Sequence, residues 1–226
     1  MSQDMTIVYY TANAIPEKFH EFTKTILQVS AEGTPIVSVS KKPMDLGTNI
    51  VVDSPRSTIN IYRQALIGAK AAKTKYIAMA EDDALYPPDH FKHRPSDDAF
   101  AYNMSQWGLY TWVEPAMYSH KGRHVLYSMV CNRELFIETM EARFEKYPVD
   151  EEIVLKNWGE PGKYERHLGL PEVKMETFNT GHAIVVFSHE TALAYGHLGK
   201  RKKLGNLRCF DIPYWGKAEE LKKRYE

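Results

Sequence analysis

Residues 76–91 read Tyr76-Ile-Ala-Met-Ala-Glu81-Asp82-Asp83-Ala-Leu-Tyr-Pro-Pro88-Asp-His-Phe91, an apolar run of strand length that drives into three consecutive carboxylates and then a Pro-Pro turn. Adjacent acids repel one another, and a buried carboxylate without a partner is strongly disfavoured. The cluster is therefore either solvated or balanced by a cation. The strand before it is apolar on both faces, as in a covered parallel strand, and ligands sit at the carboxyl ends of such strands. In an extended segment Glu81 and Asp83 point one way and Asp82 the other. A divalent ion can use one or two of these acids and complete its shell from a phosphorylated substrate, the habit of Mg²⁺ and Mn²⁺. The competing reading is a solvated acidic turn.

Working upstream, Thr6–Tyr10 has the β-branched and aromatic content of a strand. Asn13-Ala-Ile-Pro16 then turns the chain into a helix carrying Phe19, Phe22, Ile26 and Val29 at helical spacing. Pro35–Val39 predicts a second strand, ending in Ser40, Lys41 and Lys42, for which ordinary solvated charge is the plainer reading. Asn49–Val52 predicts a short strand. Asp53-Ser54-Pro55 supplies turn and cap residues before a helix from about Ser57 to Ala72, whose core face is Ile59, Tyr62, Leu66 and Ala69. The first ninety or so residues thus predict repeated β-α units and a parallel sheet.

Downstream of Phe91 the pattern changes. Aromatic-rich segments around Trp107–Trp112, Ala116–Tyr118 and Val125–Val130, joined by Glu114-Pro115 and His120-Lys-Gly-Arg123, predict strands that include an antiparallel pair. Asn132 is placed to cap a helix bearing Phe136, Met140 and Phe144. A last strand, His182–Phe187, leads to Ser188-His189-Glu190. Beyond it, His197-Leu-Gly-Lys200-Arg-Lys-Lys203 sets four consecutive cations after a glycine, a run suited to a diphosphate or else a solvated basic turn; Arg201 can bind two oxygens at once.

The chain of 226 residues is read as a single domain. Lys plus Arg and Asp plus Glu both number 29, so no global charge draws it towards nucleic acid or an anionic membrane. The two cysteines, Cys131 and Cys209, form no framework and suit a reducing compartment. With no apolar run near the ~20 residues of a membrane span, the expectation is a cytoplasmic protein. A Gly-x-Gly-x-x-Gly after the first strand, a Walker A sequence, a Gly-x-Ser-x-Gly elbow and a His-Glu-x-x-His helix are all missing, which weighs against dinucleotide-binding, hydrolase and zinc-protease classes.

From Arg63-Gln64 through Ala72, Tyr76-Ile77 and Glu81-Asp82-Asp83 to Tyr86-Pro-Pro88-Asp-His-Phe91, the chain resembles the donor-binding half of GT-A glycosyltransferases, especially inverting ones of the family-two type. There an Arg-Asn helix precedes a strand ending in Asp-x-Asp and a Pro-Asp-His-like turn; here Gln64 replaces the asparagine and Glu81 the first aspartate. The resemblance covers residues 6–91 well and the rest loosely. It implies an α/β GT-A (Rossmann-like) mixed sheet flanked by helices, with an antiparallel acceptor-side part. Residues 1–91 would form the nucleotide-sugar-binding half and 92–226 the acceptor-side half.

The same resemblance implies a nucleotide-diphosphate-sugar donor, UDP-sugars favoured, and Mn²⁺ or Mg²⁺ as cofactor. Thr11 and Asn13 would line the nucleoside pocket and Arg63 would approach the diphosphate; Lys200 and Arg201, from the cationic run and not from the resemblance, are added as candidate diphosphate contacts. Asp83 would ligate the metal directly with Glu81 beside it, Asp82 would bind ribose or metal-bound water, and His189 or His197 would be a third metal ligand or a phosphate contact. The family's Glu-Asp pair for the general base has no clean copy. The nearest arrangement is Trp158-Gly-Glu160-Pro-Gly-Lys-Tyr-Glu165-Arg-His-Leu168, which ranks Glu165 first and Glu160 second, ahead of Asp150–Glu152. The acceptor would be a hydroxyl on a glycan, a small molecule or a hydroxylated base in viral DNA. Two alternatives stand: a non-catalytic GT-A-like domain that binds a nucleotide sugar or glycan, and a nucleotidyltransferase. The latter is disfavoured because Thr11–Glu17 lacks the glycine-rich loop by which those enzymes resemble one another.

Overall fold

The computed structural model describes residues 4–149, 158–192 and 204–226. Its first half is built from β-α units: β1 (Met5–Tyr10), α1 (Glu17–Ala31), β2 (Ile36–Ser40), β3 (Thr48–Val51), α2 (Thr58–Ala71) and β4 (Tyr76–Glu81). All six β1 residues are buried, as a strand covered on both faces requires. It pairs in parallel with β2 on one side and β4 on the other, bringing Tyr10 opposite Glu81. Helix α2 starts where expected, with the Ser57 hydroxyl accepting the Asn60 N–H at 3.1 Å. It packs closely on β1 at Gly68, where a Cβ would stand 2.5 Å from Val8 Cγ1.

After β4 come β5 (Ala84–Leu85), a 3₁₀ turn over Pro88–Lys92, β6 (Ala99–Asn103), β7 (Gln106–Tyr110), β8 (Tyr118–His120), β9 (Met129–Asn132) and α3 (Arg133–Lys146). The later elements are β10 (Lys174–Phe178), β11 (Ile184–Ser188), β12 (Arg208–Cys209), β13 (Asp211–Ile212), β14 (Gly216–Lys217) and a last helix, α4 (Ala218–Tyr225). The main sheet has the order β10-β6-β9-β4-β1-β2-β3; β9 runs antiparallel to both neighbours and every other pairing is parallel. A second sheet has the order β12-β8-β7-β11-β5, antiparallel except for the parallel pairing of β7 with β11, and β13 pairs with β14. This is the α/β mixed sheet flanked by helices expected of a GT-A arrangement, although the acceptor-side sheet is not purely antiparallel.

Helices α2 and α3 cover one face of the main sheet, their Tyr62, Ala65, Phe136 and Met140 meeting Val8, Met79 and Phe100. Against the other face lie α1 and strand β11 of the second sheet, through Leu27, Ala31, Ile184 and Val186. Helix α4 closes the far side of the second sheet, with Leu221 and Tyr225 near Phe19 and Phe187. Four sequence expectations change in detail. Val29 is 68 % exposed, because the inward stripe of α1 is Phe19, Thr23, Leu27, Ser30 and Ala31. The segment around Val125–Val130 is a 3₁₀ turn at Leu126–Ser128 followed by β9. The last expected strand is shifted to Ile184–Ser188, and strand β10 was not anticipated. Both cysteines are free thiols, and no described helix is long and apolar enough to cross a membrane.

Candidate active site at the carboxyl end of β4

The carboxyl ends of β1, β2, β4 and β11 open into one cleft of about 210 Å³, which the first turn of α2 and the β8–β9 connection complete. Thr11, Lys41, Glu81, Asp82, Asp83 and His189 all line it. The acid-bearing end of β4 is pinned on both sides. The Glu81 N–H donates to the Tyr86 hydroxyl at 2.9 Å, and the Asp83 carbonyl accepts the Phe187 N–H at 2.8 Å. The second bond ties β11 to the acidic turn and carries His189 into place.

Within the cleft Thr11 Oγ1 donates to Asp82 Oδ2. Gln64, buried in α2, donates to the Thr11 carbonyl at 2.9 Å and so holds the end of β1. On the opposite side His189 Nε2 lies 3.3 Å from Asp83 Oδ2, while its Nδ1 is 2.8 Å from Thr191 Oγ1. The Tyr225 ring lies 5.5 Å from the His189 ring. Burial, and then the Asp83 charge, push Glu81 well above the usual carboxylate range. The same two causes push Asp82 up to about 6, against the opposing pull of its Thr11 hydrogen bond.

The donor set suits a hard cation. Asp83 Oδ1 is buried and has no hydrogen-bond partner among the described residues, so one carboxylate oxygen lacks a partner beside an imidazole nitrogen. Among the described residues no three His, Cys, Asp or Glu side chains converge into a closed cage. Asp83 and His189 are the two side chains that could contribute to holding an ion that takes its other ligands from water and phosphate.

The remaining expected residues divide. Asn13 shapes the loop and is not among the cleft's lining residues: its Oδ1 accepts the N–H groups of Lys41 and Lys42 at 2.8 and 3.0 Å. Arg63 is turned away from the cleft, its guanidinium 4.4 Å over the Phe144 ring in the groove between α2 and α3. The reason is helical geometry: Asn60 and Gln64 share the cleft-facing side, and one residue along the helix rotates a side chain by about 100°. Glu165 is buried against the equally buried Arg143, whose Nε donates to it at 2.9 Å, and it does not line the cleft.

Glu160, the second-ranked acid, is likewise not among the cleft's lining residues, but it is electrostatically linked to them. Its Oε2 accepts the Tyr62 hydroxyl at 2.8 Å, burial raises its pKa, and its charge interacts with Glu81 and with Arg123 of the cleft wall. Arg143 fixes the same loop by donating to the carbonyls of Gly159 and Glu160 at 2.8 and 3.3 Å. His197, Lys200 and Arg201, like Asp150–Glu152, lie outside the described residues. Lys121, Arg123 and Tyr127 also line the cleft and escape the sequence reading. The first two sit in a segment whose polar, glycine-containing composition reads as a plain turn.

No family model matches the chain, and no curated protein matches it. Among solved structures it is similar to residues 1–349 of TarS from S. aureus in complex with UDP-GlcNAc, at 8 % identity and a TM-score of 0.45, over 82 % of this chain and 58 % of that one. It is also similar to a glycosyltransferase involved in glycosylation of the major capsid of PBCV-1, at 11 % identity and a TM-score of 0.47, over 98 % of each chain. A third similar structure is the inositol-1-phosphate CTP transferase from T. maritima, at 10 % identity and a TM-score of 0.44, over 89 % of this chain and 98 % of that one. The chain spans little more than half the length of the TarS fragment.

Proposed function

We propose that this protein is a metal-dependent glycosyltransferase that passes a sugar from a nucleotide-diphosphate donor, with UDP-sugars favoured, to an acceptor hydroxyl with inversion. The observation that carries the proposal is the meeting of Asp83 and His189, 106 positions apart, beside an Asp83 oxygen that has no hydrogen-bond partner among the described residues, at the carboxyl end of a covered parallel strand. The resemblance of residues 6–91 to a GT-A donor half supports the same reading.

Asp83 and His189 would hold Mn²⁺ or Mg²⁺, with Glu81 nearby; bound there, the ion would act as a Lewis acid on the charge that grows on the leaving diphosphate. Asp82, oriented by Thr11, is the acid for a ribose hydroxyl or an ordered water. Glu160 is the preferred proton acceptor, because Tyr62 orients its carboxylate and burial raises its pKa. In the transfer, the acceptor hydroxyl loses its proton to the carboxylate and its oxygen bonds to the anomeric carbon. The bond to the diphosphate breaks on the opposite face, and its electron pair leaves with the diphosphate.

A glycan or small metabolite is the default acceptor. A hydroxylated DNA base would require local cations and would show steeply salt-dependent binding. The test is a thermal-shift panel of UDP, GDP, CMP and dTDP, each with Mn²⁺ or EDTA, followed by assays for release of the nucleoside diphosphate. Metal-dependent stabilisation by one diphosphate, lost in Asp83→Ala together with turnover, is the expected result. Full activity of Asp83→Ala would remove the assignment, and binding without transfer across a broad acceptor panel would favour a non-catalytic domain.

A further inference from the structure

Lys121 follows β8, and its side chain runs across the second sheet over Gly108 of β7. A Cβ on residue 108 would stand 2.3 Å from Lys121 Cε and 2.9 Å from Nζ, so the lysine takes this path only because β7 has no side chain there. The path ends with Nζ donating to Ser188 Oγ at 3.2 Å and lying 5.0 Å from the centre of the Tyr110 ring. Ser188 ends β11 and directly precedes His189, whose ring faces Asp83. A half-buried ammonium is therefore delivered to the cleft wall beside the Asp83–His189 pair. At a partly desolvated wall a cation binds phosphate oxygens more strongly than in open water. Arg123, two residues on, lines the same cleft.

We infer that Lys121 is an anion-binding residue for the donor's diphosphate and that Gly108 is the position that gives its side chain passage. The inference rests on the donor reading proposed above. It is tested by calorimetric titration of inorganic pyrophosphate, UDP and uridine, in Mn²⁺, against the full chain and its Lys121→Gln, Gly108→Ala and doubly substituted variants.

Lys121→Gln should weaken pyrophosphate and UDP about tenfold, or about 1.4 kcal/mol, and leave any affinity for uridine unchanged. Gly108→Ala displaces the flexible end of a side chain rather than backbone, so it should weaken UDP to a similar extent without lowering the melting temperature. The double variant should bind no worse than Lys121→Gln alone. Unchanged pyrophosphate and UDP affinity in Lys121→Gln overturns the inference, as does an equal loss for uridine. Fully additive losses in the double variant overturn the role of Gly108. A wild-type chain that binds neither pyrophosphate nor UDP overturns the donor reading itself, and pyrophosphate makes that outcome independent of which base the donor carries.

Discussion

Glu160 and Glu165 lie five positions apart and have opposite environments. Glu165 faces Arg143, and both side chains are essentially inaccessible, so neutralising the acid strands a buried guanidinium. Glu165→Gln should therefore cost about 3–5 kcal/mol of stability, measured by urea unfolding, with turnover falling only as far as folded protein is lost. Glu160→Gln keeps an acceptor for the Tyr62 hydroxyl and should leave stability within about 1 kcal/mol while removing turnover. Equal activity in Glu160→Gln and wild type would discard Glu160 as the base. The sequence makes both acids visible but not which of them an arginine consumes, because Arg143 comes from a helix face about twenty residues earlier. Asp82 and Asp83 are more legible, because an apolar run of strand length ends at them, whereas Thr11 enters through the resemblance to a GT-A donor half. His189 is legible as a residue type after a strand, and only the pairing of β11 with β5 brings it to Asp83.

The 3₁₀ turn Pro88–Lys92 is the element that follows the acids, and its His90 is buried among Tyr86, Phe91 and Phe178. Asn103 Nδ2 lies 3.3 Å from His90 Nδ1, and burial holds the imidazole down to about 3, from an ordinary 6.5. Between those values the unfolded chain binds a proton that the native chain does not, so stability falls as pH drops below about 6.5 and this contribution levels off near pH 3. At pH 5.5 the expected loss from this group is about 1.4 kcal/mol relative to pH 7.5. His90→Phe should remove that slope in urea unfolding, and an unchanged slope would refute the assignment. At this scale the β-α units and the caps at Ser57 and Asn132 are plain in the sequence, since period and cap chemistry are local. Strand β10 is not, because its outward, polar Lys174-Met-Glu-Thr-Phe178 lies at a sheet edge and buries too little to show an apolar pattern.

For the molecule as a whole, α4 matters beyond its eight residues. Tyr225 packs edge-on against Phe19 of α1 at 5.0 Å and also stands against His189, so the helix joins the first helix to the cleft. Tyr225→Ala should cost about 2 kcal/mol, a fall of roughly 4–8 °C in Tm for a chain of this size, and should weaken Mn²⁺-dependent nucleotide binding. A drop in Tm with unchanged metal-dependent binding would confine Tyr225 to packing. Such closure of the second sheet over the first is the part of the architecture least legible in the sequence, since it depends on contacts between distant segments. The 106-position separation of Asp83 and His189 also has a kinetic meaning. The β-α units around β4 can form from local contacts, whereas the imidazole arrives only when a distant strand docks, after a long loop has been closed. During synthesis the acidic motif therefore emerges long before its partner, and a nascent chain carries the acids without the pair. Under the proposed function, competence to hold the donor would be a late milestone of folding, and metal-dependent binding would serve as a clock for the docking of β11 during refolding.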